Sequence, residues 1–231
     1  MEPENPLNSA RVAVIDAALA HVPFDGWSPA TLKAALADSG VAPGLAAALF
    51  PRGPLDLALA YHQQGDARMV QALAGMDLAT LRFRDRIAAA VMARLDLVED
   101  KELVRRGTTF FALPQNAAEG ARAVWGTADA IWRALGDTSE DVNWYTKRAT
   151  LAAVYSATVL YWLGDDSPGH ENTRDFLDRR IDGVMQFEKF KAGLRDNPLG
   201  KALLAGPLKI FDHIRAPRTP DDLPGSLKDP A

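Results

Sequence analysis

SPATLKAALADSGVAPGLAAALFPRGP, residues 28–54, reads as two helices joined by a tight turn and closed by a hard stop. Ser28 offers a side-chain acceptor for the first turn and Pro29 the fixed φ that suits the first helical position, so a helix covers Pro29–Asp38. Gly40-Val41-Ala42-Pro43 turns the chain, a short helix takes Gly44–Phe50, and Pro51-Arg52-Gly53-Pro54 ends it before a long helix. With a preceding helix over about Ser9–Ala20, this is a helix-turn-helix layout. Its chemistry does not follow its shape. Reading bases needs side-chain donors in the groove and cations against phosphate. Gly44-Leu45-Ala46-Ala47-Ala48-Leu49-Phe50 has no donor, and Asn8–Ala60 carries Arg11, Lys33 and Arg52 against Asp16, Asp25, Asp38 and Asp56. No nucleic-acid partner is expected.

Outside that stretch the same helical chemistry continues. The 231 residues include 40 Ala and 28 Leu against 13 Val and 6 Ile, a composition that favours helices over strands. After Pro54 the next prolines are Pro114, Pro168 and Pro198, which leaves three long stretches free of helix breakers. Asn116 with Glu119 has capping-box spacing, and Gly136 stops that helix after Leu135. A further helix runs from near Asn143 to Leu163, and the last core helix from about His170 to Gly193. Ala149–Leu163 has no charged residue and reads as the central helix, buried on every side. The expected fold is all-α: residues 1–8 a flexible start, 9–54 a degenerate helix-turn-helix, 55–195 a larger helical ligand-binding bundle, and 196–231 an amphipathic segment with a loose tail.

Composition also narrows function. The chain has no Cys, which removes disulfides, thiol nucleophiles and thiolate metal sites, and its net charge is −4. No apolar run reaches the roughly 20 residues that span a bilayer. The acidic, Pro-containing start resembles neither a secretory signal nor a transit peptide, so a cytoplasmic protein is expected. The four histidines, His21, His62, His170 and His213, are scattered; no Glu-x-x-His pair, phosphate loop or nucleophile elbow occurs. We therefore expect no catalytic residues, no metal and no cofactor.

Residues 11–61 resemble the N-terminal domain of tetracycline-repressor-like regulators, including the Leu-Phe-Pro-Arg-Gly-Pro-Leu junction. A second resemblance lies further on: Leu113-Pro114-Gln115-Asn116, then Gly136-Asp137-Thr138-Ser139-Glu140-Asp141-Val142-Asn143-Trp144-Tyr145-Thr146-Lys147-Arg148-Ala149, then Ser167-Pro168 and Thr173-Arg174-Asp175-Phe176-Leu177-Asp178-Arg179-Arg180. Together these are similar to the lipid-binding accessory family of ubiquinone (coenzyme Q) biosynthesis, the ninth coenzyme Q protein. The resemblance implies a repressor-like all-helical fold, a homodimer, a cavity for an isoprenoid or other membrane lipid, and docking on a ubiquinone-pathway hydroxylase, di-iron or flavin-dependent. On the matching positions it implies a docking patch of Trp144, Tyr145, Asp141 and Arg148, with Asp129 and Ile131 on the preceding helix face. A ligand-sensing transcriptional regulator is the alternative.

An Ala-rich interior beside large aromatics leaves room for a hollow. Expected lining residues are Phe83, Ile87, Val91, Phe110, Phe111, Trp125, Leu135, Val154, Thr158 and Tyr161, with an ordinary packed core as the competing reading. Trp144 and Tyr145 are adjacent, about 100° apart on a helix, so both cannot bury in one stripe, and an aromatic pair beside Asp141 and Lys147 has the make-up of an interaction hot spot. Within Leu199–Arg218 the basic residues exceed the acidic, and Leu204, Leu208, Phe211 and Ile214, with Lys209 and Arg215, form a basic amphipathic segment. It suits either the inner (cytoplasmic) membrane surface, making the protein peripheral there, or the chain's own domain.

Overall fold

A computed structural model describes residues 6–196 and 215–216, with the backbone alone for 187–196. The described residues form ten α-helices and short 3-10 turns, with no strand among them. Helix α1 (Pro6–Ala18) and α3 (Pro29–Asp38) pack on each other and on α5 (Pro54–Ala74), and the one-turn α2 (Val22–Asp25) packs against α3. Ser28 caps α3 as its position predicts, its hydroxyl accepting from Thr31 N at 3.2 Å, while Thr31 Oγ1 donates to Gly26 O at 2.6 Å. The short helix is shorter than expected: a 3-10 turn at Pro43–Leu45 leads into a single α-turn, α4 (Ala46–Leu49). Leu49 and Phe50 face the core, while Gly44, Leu45, Ala47 and Ala48 are exposed. Arg52, beside it, is engaged by Asp56, which accepts from Arg52 N at 2.7 Å and Nε at 2.8 Å.

Five helices follow in a bundle: α6 (Phe83–Asp96), α7 (Lys101–Ala112), α8 (Ala117–Ala134), α9 (Val142–Trp162) and α10 (Glu171–Asp196). Two apolar cores result. One joins Val14, Ile15, Val22, Trp27, Phe50 and Leu57 to Leu103 of α7; the other joins Met69, Leu73, Val91, Leu95, Ile131, Leu151, Trp162 and Leu177. Helix α5 serves both, through Leu57 near its start and Met69 near its end, so it fixes the small N-terminal unit on the bundle.

Two local expectations are corrected. Asn116 and Glu119 make no capping box. Asn116 has helical φ/ψ and donates from Nδ2 to Phe110 O at 3.1 Å, while Glu119 is drawn away by Arg52 at 3.1 Å and Arg122 at 2.6 Å. Helix α9 is also not buried on every side. Leu160 is 66% exposed and Tyr161 39%, and Ala149 and Ala153 are exposed too. The stripe Ala149–Ala153–Leu160, spaced to share one helix face, looks into an opening rather than into protein.

Candidate functional site

That opening leads to a cavity of about 590 Å³ among α5, α6, α7, α8 and α9, within the range typical of small-molecule sites. Its hollowness comes from small side chains. Ala112, Ala117, Ala121, Ala149 and Ala153 line it where they are exposed, Ala123 and Ala152 deeper in. Gly120 lets α7 and α8 approach: a Cβ there would lie 2.7 Å from Phe111 Cβ. Val98, Val104, Phe111, Val124 and Trp125 make the walls, and the buried Ala58, Leu95, Leu103 and Val159 the deep surface.

Of the expected lining residues, Phe111 and Trp125 reach this cavity. The others lie off it. Val91, Val154 and Thr158 are packed into the bundle core, with Thr158 Oγ1 donating to Val154 O at 2.8 Å. Ile87 and Leu135 pack on the edge of that core, and Phe110 on the N-terminal one. Phe83 is 54% exposed against Trp132, and Tyr161 stacks on Phe176 with centroids 4.4 Å apart. The physical reason is simple: large side chains fill the space they enter, so the hollow stands where Ala and Gly face one another.

A polar group at the deep side was not foreseen. Tyr61, His62, Arg94 and Tyr155 all line the cavity. Arg94 is 5% exposed; its Nε donates to Asp66 Oδ1 at 2.8 Å and its Nη2 to His62 O at 3.3 Å. Thr127 Oγ1 donates to Asp66 at 3.0 Å, and His62 Nε2 lies 2.8 Å from Thr127 Oγ1 and 3.2 Å from Ala123 O. Gly65 makes room for the guanidinium, since a Cβ there would sit 2.5 Å from Arg94 Cζ. Burial holds His62 below its ordinary pKa and pushes the phenols of Tyr61 and Tyr155 up, although Arg94 pulls both the other way. The signal was present in Ile87-Ala88-Ala89-Ala90-Val91-Met92-Ala93-Arg94-Leu95, where one cation interrupts an apolar run.

The expected docking residues divide into a surface and its support. Trp125, Trp144 and Tyr145 cluster, with ring centroids 5.9 Å apart for Trp125–Trp144, 6.4 Å for Trp125–Tyr145 and 4.8 Å for Trp144–Tyr145. Trp144 and Tyr145 are half-buried, and Asp141 caps α9, accepting from Asn143 N at 2.9 Å. Ile131 and Arg148 are corrections, being 0% and 1% exposed. Arg148 lies under the Trp144 ring at 4.0 Å, donates to Asp129 at 2.6 Å and Asp137 at 3.0 Å, and reaches Trp144 O at 3.1 Å. Asp129 also pairs with Arg133 at 2.8 Å. Of the amphipathic segment, Leu204, Leu208, Lys209, Phe211 and Ile214 lie outside the described residues. Arg215 stands beside the aromatic cluster, its carbonyl accepting from Tyr145 Oη at 3.2 Å, and Ala216 N donates to Glu140 O at 2.9 Å.

Asp137 ties this support to pH. Burial works to raise its pKa, but hydrogen bonds from Lys147, Ser139 and Arg148 outweigh that and hold it at about 2. Asp165 is lowered too: burial opposes it, and hydrogen bonds from Ser167 and Thr173 prevail. Both are depressed carboxylates, so their stabilisation is complete above the unfolded-state pKa and disappears as pH falls through the folded one. Asp137 alone contributes roughly 2 kcal/mol, lost between about pH 4 and pH 2. In thermal melts Asp137→Asn is expected to be less stable than wild type at pH 6 and to converge on it near pH 2. A constant gap across that range would remove the linkage.

Among the described residues no helix is long and apolar enough to cross a membrane, and no three His, Asp or Glu side chains are placed to hold a metal. Residues 117–188, which comprise α8, α9 and most of α10, match the COQ9 family model. The chain is 32% identical over 187 residues to the mitochondrial ubiquinone biosynthesis protein COQ9 of Drosophila melanogaster, covering 79% of this chain and 57% of that protein. It is 32% identical over 201 residues to the rat COQ9, covering 84% and 64%, and 30% identical over 201 residues to the human one, covering 84% and 62%. The chain thus spans about three fifths of the length of these relatives. A TetR transcriptional regulator from Nitrosomonas europaea has the same fold, at a TM-score of 0.60 and 20% identity over 76% of this chain and 98% of that one.

Proposed function

This chain is related to the COQ9 proteins, and from that premise we propose that it is a non-enzymatic, lipid-binding accessory protein of ubiquinone biosynthesis that presents a prenylated quinone intermediate to a hydroxylase. The observation that carries the reading is Trp125, which lines the cavity and also clusters with the half-buried Trp144 and Tyr145. A lipid store and a docking surface thereby share one side chain, and the aromatic cluster with half of the cavity lining falls within the residues that match the family model.

The task is thermodynamic. Each CH₂ kept from water is worth about 0.8 kcal/mol, so a polyprenyl tail leaves a bilayer only when another apolar surface receives it. An alanine-lined mouth with Leu160 exposed at its rim is such a surface. The same need suits a peripheral position on a membrane, and we propose a homodimer that leaves the aromatic cluster free for the hydroxylase. The TetR-type fold does not by itself imply DNA binding, and α4 with the turn before it exposes Gly44, Leu45, Ala47 and Ala48 where base contacts would be made. The test is solvent extraction of the purified protein followed by mass spectrometry. A co-purifying prenylated quinone or other membrane lipid is the expected result; protein free of lipid after isolation from membrane-containing lysate would overturn the reading.

A further inference from the structure

The cavity is polar at its deep side and apolar at its mouth, and this asymmetry assigns an orientation to what it holds. Tyr155 is 5% exposed, lines the cavity, and its hydroxyl makes no hydrogen bond among the described residues. Its oxygen is not one of the sealed side-chain atoms left without a partner among the described residues, so it opens to the cavity as a donor that a guest can use. Tyr61, whose ring packs at a 35° tilt against Trp27 with centroids 5.2 Å apart, likewise makes no hydrogen bond through its hydroxyl among the described residues and lines the cavity. The exposed lining residues among those described are the apolar Ala112, Ala117, Ala121, Ala149, Ala153 and Leu160; of the half-buried polar ones, Thr108 is already committed, its Oγ1 donating to Arg105 O at 2.8 Å, and Ser156 is a single hydroxyl on the wall.

We propose that the cavity takes an amphiphile head first: an uncharged, oxygen-bearing head accepts hydrogen bonds from Tyr155 and Tyr61, and the apolar tail runs out past the alanine rim. The inference rests on the reading of this cavity as the lipid site and adds the direction and the class of head. Charge decides the class. Arg94 is the one cation on the cavity wall among the described residues, and Asp66 already neutralises it at 2.8 Å. His62 is held neutral by burial and its Nε2 is taken up by Ala123 O and Thr127, so the deep side offers donors without net charge. A phosphate head would bring an uncompensated charge into that setting, which is costly; a quinone or phenol oxygen brings none. The ring of the guest is thereby kept from water while it is carried, and it leaves only when the tail is drawn out.

The test uses the full-length protein, delipidated, and titration calorimetry with three probes that share a decyl chain: a decyl-substituted dimethoxybenzoquinone, decyl phosphate and decylbenzene. The quinone is expected to bind about tenfold or more tighter than decyl phosphate. Tyr155→Phe keeps the ring and removes the donor, so it is expected to weaken the quinone about five- to tenfold and to leave decylbenzene within about twofold. Tyr61→Phe, which removes the second donor and keeps its ring, is a second variant and is expected to weaken the quinone selectively as well. Equal effects of Tyr155→Phe on quinone and decylbenzene, or a preference for decyl phosphate, would overturn the orientation and leave the lipid site standing. Failure of all three probes to bind the wild-type protein would overturn both.

Discussion

Ala153→Trp is expected to isolate almost free of lipid while folding normally. Ala153 stands on the exposed stripe of α9 at the cavity mouth, so an indole there meets solvent and the opening rather than packed core. Surface substitutions of this kind usually change stability by no more than about 0.5 kcal/mol. The cost falls on the guest. Denying a tail the burial of only two methylenes removes about 1.6 kcal/mol, more than a tenfold change in affinity. The control is Ala118→Trp, on an exposed position of α8 that does not line the cavity. Extraction and mass spectrometry of the two variants should differ by about tenfold or more in lipid per protein. Equal lipid content in both would place the guest elsewhere and remove the cavity from the function.

The same position shows what could and could not be read in advance. Caps and breakers are local chemistry, so α3 begins and ends where Ser28-Pro29 and Asp38 put it, and α9 starts within one residue of the expected site. Asn116 makes no capping box because Phe110 O, just before it, takes its Nδ2 and Arg52, distant in sequence, draws off Glu119. The hollow was harder still. A helix facing packed core and a helix facing an empty cavity are both written in apolar residues, and α9 does both around one circumference. Val154 and Thr158 point to the solid side, Ala153 and Ser156 to the open one, and only the packing of five helices decides which is which. Arg94 was the overlooked clue. A cation inside an apolar run has to be paired and has to face something polar, here Asp66 and the deep end of the cavity.

A similar division between what is seen and what supports it governs the aromatic surface, and it makes Arg148 and Trp144 respond differently to substitution. Arg148→Ala is expected to cost about 3 kcal/mol, because it removes the buried cation that the Asp129 and Asp137 carboxylates share. Asp137 keeps Lys147 at 2.7 Å and Asp129 keeps the exposed Arg133, so the protein should melt earlier rather than fail to fold. Trp144 is half-buried and stacked on Arg148, and Trp144→Lys should cost far less stability because its exposed edge can carry an ammonium to solvent. Chemical denaturation of the two variants measures this contrast directly. If Trp144→Lys proved as destabilising as Arg148→Ala, the tryptophan would be a structural anchor. A nearly intact fold with loss of hydroxylase capture in a pull-down would instead identify the Trp125–Trp144–Tyr145 cluster as the surface the partner reads. The two substitutions sit four residues apart on one helix, so a general disturbance of α9 would show in both. Separate outcomes, stability lost in one and partner binding in the other, are what a surface resting on a buried ion network predicts.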